Sequence, residues 1–420
     1  MVRPEQGAVR KRERFRSTPD KELGSVRHRG RCVVVTLALA LCSAHTTTPA
    51  VSWIGQATAA DIPNTAMADY RRQYEEYARA RASYDKGVKE YWAAIAEKRR
   101  GRNAKRRSQQ EILLDDYVLT QPPVYIGPPK PIDPSGPPEE APPQKYVPVV
   151  VDFLRAAAEQ YSFVPQRPRD ELEYKRAYAR IAAAAGLTKD QIVRVYAFES
   201  GGNGKYDVQA GLEYVRANAQ AISTALGYNQ LLCTNSVELM AEKGDQFIMT
   251  LTSKVARLSG DASAMLKMKI AALQRVVTVS RAVPYTWNEH EKLCKTPQGL
   301  GIHAMVLDID IGPLLQTQKL LDSVIFARGE GLVRPLTGAE LEMMNLTGDG
   351  NGLDMVMMPV TMRRQVPTSN FFTRSGYELN SVANRNSVVE NILAAINAKM
   401  DREVNLQGAR DMERVYAESE

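Results

Sequence analysis

Glu199 is the residue whose surroundings best suit acid–base chemistry. It closes a run in which Ile192, Val193, Val195, Tyr196 and Phe198 recur at helical spacing, and Ser200, Gly201, Gly202, Asn203 and Gly204 follow it. Gly and Asn tolerate positive φ, so the pattern predicts a helix that stops at Glu199 and Ser200 and opens into a loop. A carboxyl set among apolar and aromatic groups has its charged form destabilised. The negative end of the helix dipole pushes the same way. Such a carboxyl keeps its proton near neutral pH, can give it to a leaving oxygen and can later take one back. Taken alone, the pattern is more often an ordinary water-facing glutamate before a Gly-rich turn.

The other candidates carry less chemistry. Asp349-Gly350-Asn351-Gly352-Leu353-Asp354 has the composition of a calcium loop. It lacks the D-x-[DN]-x-[DN]-G spacing and the distal Glu, so it reads as a polar turn. His290 and His303 stand alone, without a metal-ligand pair or a Ser/His/Asp order, and read as hydrogen-bonded structural residues. No C-x-x-C spacing occurs, so neither a metal site nor a cofactor is expected. No Gly-rich phosphate loop follows a strand pattern, which argues against Rossmann and P-loop enzymes. Met343, Met344, Met355, Met357 and Met358 read as core or groove filler.

The stretch from Val193 to Leu232 resembles the lytic transglycosylase domain, the goose-type lysozyme-like family that cleaves bacterial peptidoglycan. The family's helix-ending E-S pair is matched by Glu199-Ser200, and its G-x-x-Q-L pattern by Gly227-Tyr228-Asn229-Gln230-Leu231. Tyr228-Asn229 stand where the family has an apolar pair, and the stretch between Glu199 and Gln230 is longer than the family's. Asn370 to Tyr377 and the Asn345/Asn351 region are the candidates for its later Ala-Tyr-Asn-type motif. The resemblance implies a lysozyme-like helical body with Glu199 as the single catalytic acid, then base. It implies Ser200, Tyr228, Asn229 and Gln230 as substrate-side residues, and peptidoglycan glycan strands as the partner. Glu213, in the longer stretch, is the nearest candidate for a second carboxylate, although a helix-surface glutamate is the plainer reading. A non-catalytic periplasmic peptidoglycan-binding or scaffold protein with the same fold is the alternative.

These residues need helices to hold them. Helical periodicity dominates residues 149–420, and no sustained period-two alternation appears, so a mainly α body is expected there. Thr188 can cap the helix that carries Glu199. Residues 64–117 read as a charged helix with a stripe of Tyr70, Tyr74, Tyr77, Tyr84 and Tyr91. That helix must pack against something, and an envelope partner could bind through this segment (residues 61–120). Its basic cluster, Lys98, Arg99, Arg100, Arg102, Lys105, Arg106 and Arg107, reads as a solvated helix end. Residues 121–148 hold eleven prolines and read as a spacer between that helix and the body.

Composition bounds the rest. The chain has 420 residues, 44% of them hydrophobic and 25% charged, which fits a folded protein and excludes a wholly disordered one. Its net charge of +7 sits almost wholly in residues 1–60, where ten Lys/Arg face four Asp/Glu; the remainder has 45 against 44. A near-neutral body leaves no footprint for nucleic acid. Arg27, Arg29 and Arg31 precede the apolar run from Val33 to Cys42, which at about ten residues falls short of the roughly twenty a membrane span needs. Residues 1–60 therefore read as a signal-peptide region cut before Asp61, after Ala57-Thr58-Ala59-Ala60, with an earlier cut near Ala44 as the alternative. The expected location is periplasmic or secreted. Cys233 and Cys294 are then the cysteines of the mature chain, and an even pair in an oxidising compartment is expected to form a disulfide, two buried thiols being the alternative.

Overall fold

Thr188 begins the helix on which the site is built. Its hydroxyl accepts from the Gln191 amide, and the Gln191 side chain accepts from the Thr188 amide, so two orphan donors of the first turn are satisfied reciprocally. The computed structural model describes residues 64–136, 146–212 and 219–420, and these belong to one compact unit. The expected leader and Glu213 lie outside the described residues.

The described residues form sixteen α-helices, and the protein is mainly α as expected. The first five are α1 (Asn64–Arg107), α2 (Val150–Tyr161), α3 (Glu171–Ala184), α4 (Lys189–Ser200) and α5 (Cys233–Val255). Then come α6 (Gly260–Arg281), α7 (Trp287–Leu293), α8 (Pro297–His303), α9 (Gly312–Gly329), α10 (Gly338–Thr347) and α11 (Asp349–Met357). The last five are α12 (Val360–Arg363), α13 (Arg374–Leu379), α14 (Ser381–Arg385), α15 (Val389–Glu403) and α16 (Gln407–Ala417). No described helix is long and apolar enough to cross a membrane.

Helix α4 lies at the centre of the body, with α3, α10, α15 and α16 packed around it. That is why nearly all of its faces are apolar: Ile192, Val193, Val195, Tyr196, Ala197 and Phe198 are buried. It ends at Gly201 in the left-handed conformation. Gly202 follows at φ +69°, and a Cβ there would stand 2.4 Å from the Glu403 carbonyl, so only glycine lets this loop lie against the α15–α16 turn.

Two expectations about the N-terminal part are corrected. Helix α1 stops at Arg107 instead of running to residue 117; Gln109 turns left-handed at φ +54°, and Ile112 and Leu114 fold back onto the core. Nor is α1 a separate segment behind a spacer. Its buried stripe is Val88, Tyr91 and Ile95, and Arg102 follows seven residues on, at the same face of the helix. Tyr74, by contrast, is exposed.

Arg102 is fully buried: it donates to the carbonyls of Asp116 and Asn370 at 2.9 and 3.0 Å, and its guanidinium lies 4.4 Å from the Tyr117 ring centre. Arg99 donates to the carbonyls of Asn370 and Phe372, and Arg106 pairs with Asp354. Three of the seven cluster residues thus anchor the helix to the body, Arg99 and Arg102 through carbonyls in and beside the short segment Thr368–Phe371 and Arg106 through Asp354. The first part of the Pro-rich stretch also runs along α1, with Tyr125 set edge-on to Tyr77 and Tyr84.

Arg102→Ala should lower unfolding stability by about 3 kcal/mol, since it strands buried acceptors and empties a core position. Arg102→Lys should recover little, because an ammonium cannot reproduce the planar fork. Urea unfolding reads both, and an unchanged midpoint for Arg102→Ala would mean that α1 is undocked in solution.

Candidate functional site

Glu199 stands in the last turn of α4, where the backbone carbonyls lack intrahelical donors. Lys399 of α15 answers part of that need: its ammonium donates to the Phe198 carbonyl at 2.7 Å and lies 4.0 Å from the centre of the Phe198 ring. Helix α10 closes the other side. It starts with Thr337 as N-cap and Glu340 completing a capping box, held from outside by the two-pronged Arg334–Glu340 pair at 2.6 Å. Gly338 lets α10 approach α4 closely; a Cβ there would stand 2.7 Å from Cβ of Arg194.

This approach carries Glu342 and Asn345, three residues apart on one face of α10, to Glu199. The Asn345 side-chain amide donates to Glu199 Oε1 at 2.7 Å. Glu342 is fully buried, while Glu199 and Asn345 keep part of their surface open. The Glu199 and Glu342 carboxyls lie within hydrogen-bonding reach of each other. Burial pushes Glu199 up, against the opposing pull of Glu342, Lys399, Lys319 and Asn345. Burial and then the Glu199 charge push Glu342 well above the usual carboxylate range. Neither oxygen of Glu342 has a well-aligned protein donor, and Asn345 and Lys399 offset little of its burial, so two ionised carboxylates here would face each other. A proton on Glu342, donated to Glu199, removes the conflict.

A raised carboxyl pKa has a definite sign in stability. The folded chain holds the Glu342 proton at pH values where the unfolded chain, ionising near about pH 4.3, releases it. Its contribution is therefore whole below about pH 4.3 and is lost as pH rises toward the folded pKa. Glu342→Gln lacks that proton, so its stability relative to the wild type should improve as pH rises from about 4 to 7. Urea unfolding at both pH values measures the difference, and a constant difference would mean that Glu342 is ionised in the folded protein.

The other expected site residues are placed differently. Ser200 lies beside Glu199, but its hydroxyl donates to the Tyr196 carbonyl at 2.6 Å. Gly227 to Gln230 form a tight turn closed by reciprocal 3.0 Å bonds between Leu226 and Leu231. Gln230 sits in it at φ +44°, with its side-chain amide donating to the Gly227 and Val208 carbonyls. Among the described residues no hydrogen bond joins Gln230 to Glu199.

Tyr228 and Asn229 are corrected from substrate-side to core residues. Tyr228 is fully buried, with its hydroxyl donating to Glu171 and its ring 4.9 Å from that of Tyr196. Asn229 is fully buried between Tyr178 and Gln316. An aromatic and an amide fit here because the surrounding core is itself a tyrosine cluster with buried acceptors.

Cys233 and Cys294 form a disulfide, Cα atoms 5.8 Å apart. His303 is buried and bonded to the Ser236 hydroxyl and the Thr224 carbonyl, a structural role; burial lowers its pKa to about 4. The Asp349–Asp354 stretch is helical, with Asp349 accepting from Ser323 and Asp354 holding Arg106. No group of three metal-ligating side chains occurs among the described residues. Surface cavities of about 300 and 320 Å3 lie away from Glu199, and ion pairs such as Arg169–Glu173 and Lys269–Asp310 already occupy their rims.

Sequence reasoning missed Glu342 and Lys399, and it reached Asn345 only as an alternative motif position. Glu342 did leave a signal. It is a charged residue inside the apolar run Leu341–Met344, and charged residues are seldom fully buried without a partner.

Fold and site together define an all-α protein with a helix-end carboxyl pair, one member open and the other enclosed. No family model, curated protein or solved structure matches the chain.

Proposed function

We propose that the protein is a peptidoglycan lytic transglycosylase of the cell envelope, with Glu199 as its one catalytic carboxyl. The observation that carries the reading is that Glu199 is partly open and held toward its protonated form, while its carboxyl neighbour is enclosed. Glycosidases of the usual kind need two carboxyls on the substrate, about 5 Å apart or more, flanking the scissile bond. A pair in mutual contact with one member enclosed does not suit that arrangement. It suits a reaction that needs one acid.

In that reaction Glu199 gives its proton to the glycosidic oxygen as the bond to the muramyl C1 breaks. The Glu199 carboxylate then takes a proton from the muramyl 6-hydroxyl, whose oxygen closes onto C1 to leave a 1,6-anhydro end. Asn345 orients the carboxyl, and Lys399, held at the Phe198 carbonyl, favours the charged intermediate state of Glu199. The Cys233–Cys294 disulfide supports an oxidising compartment, hence a periplasmic or secreted location. The start of α1 around the exposed Tyr74 is the part left for an envelope partner.

A specific observation favours a second reading, a non-catalytic peptidoglycan-binding or scaffold protein. Tyr228 and Asn229 are buried, and the Gln230 and Ser200 side chains are bonded to nearby backbone. Fewer residues therefore remain to grip a sugar. Purified chain incubated with intact sacculi separates the two readings by mass spectrometry of the soluble products. Anhydromuramic ends support the enzyme, and retention on sacculi with no product at any pH supports the scaffold.

A further inference from the structure

We infer that Glu342 is a positioning residue that keeps a proton through the whole reaction and lends it, as a hydrogen bond, to Glu199. This rests on the proposed role of Glu199 as acid and base. Four geometric facts carry it. Glu342 is fully enclosed, so it cannot reach a polymer. Neither of its oxygens has a well-aligned donor from the protein, and the nearby Asn345 amide is committed to Glu199. Its helix packs directly on α4 through Gly338. Asn345, one turn away, already ties α10 to the Glu199 carboxyl.

Of the charged groups on the helices packed against α10, two lysines bear on the pair, while Asp190, Arg194, Asp349 and Asp354 are engaged elsewhere. On α4, Asp190 accepts from the Gly338 amide, and Arg194 is held by Asp401 and Asn397. On α11, Asp349 and Asp354 are taken by Ser323 and by Arg102 with Arg106. On α9, Lys319 favours the charged form of Glu199. On α15, Lys399 favours the charged forms of both carboxyls. Glu340 on α10 itself is paired with Arg334. Positive charge near Glu199 and enclosure of Glu342 together fix the order of ionisation: Glu199 loses its proton first, and Glu342 retains the other.

The consequence falls on the step after proton donation. When the glycosidic oxygen takes the Glu199 proton, the new carboxylate is met by the Glu342 hydroxyl and the Asn345 amide, both neutral donors already in place. The Glu342 proton does not move, so the atoms balance through Glu199 alone: one proton leaves for the glycosidic oxygen and one returns from the 6-hydroxyl. Because the bond is already present to the neutral acid, only its strengthening as the charge forms counts toward rate, about 1–2 kcal/mol or roughly 5- to 30-fold.

Two variants and two readouts test this on the full chain. Glu342→Gln keeps a neutral donor against Glu199, whereas Glu342→Met keeps the volume and removes the donor. On sacculi, Glu342→Gln should stay within about threefold of wild-type kcat. Glu342→Met should fall by roughly 5- to 30-fold in kcat at similar KM. Its alkaline limb should move to higher pH, since Glu199 is harder to ionise without the donor. Infrared spectra at neutral pH need no substrate: of the wild-type protonated-carboxyl absorption, Glu342→Gln should lose a component that Glu199→Gln keeps. An unchanged band in Glu342→Gln overturns the inference whatever the glycan does. So does a Glu342→Met protein with wild-type kcat and pH profile, and so do equal losses in both variants. If the band behaves as expected but sacculi yield no anhydro product, the shared proton stands and the transglycosylase reading falls.

Discussion

Glu199→Gln is expected to release at most about a hundredth of the wild-type anhydromuropeptide, because general acid–base help is typically worth about 10²–10⁴ in rate. The substitution keeps the shape of the side chain and removes its titrating proton. The Asn345 amide, which donates to Oε1 at 2.7 Å, can still donate to the carboxamide oxygen. The ammonium of Lys399 stays bonded to the Phe198 carbonyl, so the end of α4 should not open.

Thermal stability should hold or rise, since one member of a crowded carboxyl pair becomes neutral. Retention on insoluble sacculi should be unchanged. The readout is the count of anhydromuramic ends by mass spectrometry beside a sedimentation assay for bound protein. Full activity in Glu199→Gln would remove this residue from the reaction, and Glu213 would then be the carboxylate to replace.

The second large effect concerns folding. Replacing Cys233 and Cys294 together by serine should cost about 4 kcal/mol, the loop-entropy value for a bridge that closes a sequence separation of 61 residues. That loop holds all of α5, α6 and α7; α5 and α6 lie against each other, and the bridge ties the start of α5 to the residue after α7. Without it the unfolded chain recovers the freedom of the whole stretch. Cys233 is also buried, so the serine hydroxyl there would need a partner that the surroundings must rearrange to supply. Urea unfolding of the double variant, and of wild-type protein with and without reductant, should give matching losses. A shift below about 1 kcal/mol would mean that the folded packing, not the bridge, holds this part together.

Several features of this protein were local, and the sequence by itself determined them. Thr188 and Gln191 start α4, the apolar period from Ile192 to Phe198 requires that it be buried, and Gly201-Gly202 stop it; these interactions span a few residues, so spacing reveals them. Cys233 and Cys294, an even pair beyond residue 60, were enough to expect the bridge.

What surrounds Glu199 was decided elsewhere. Glu342 and Asn345 come from a helix more than a hundred residues later, and their arrival depends on Gly338 letting α10 settle on α4. Nothing in local periodicity states which helix packs there. The same limit explains Arg102, whose type marks it for water but whose register on α1 faces the carbonyls around Asn370. It explains Tyr228 and Asn229 as well. Both carry polar groups in a tight turn, yet Glu171, Tyr178 and Gln316 supply buried partners, and those partners draw both side chains into the core. Burial of a polar group depends on whether distant helices bring it a donor or an acceptor, and only the tertiary structure makes that match.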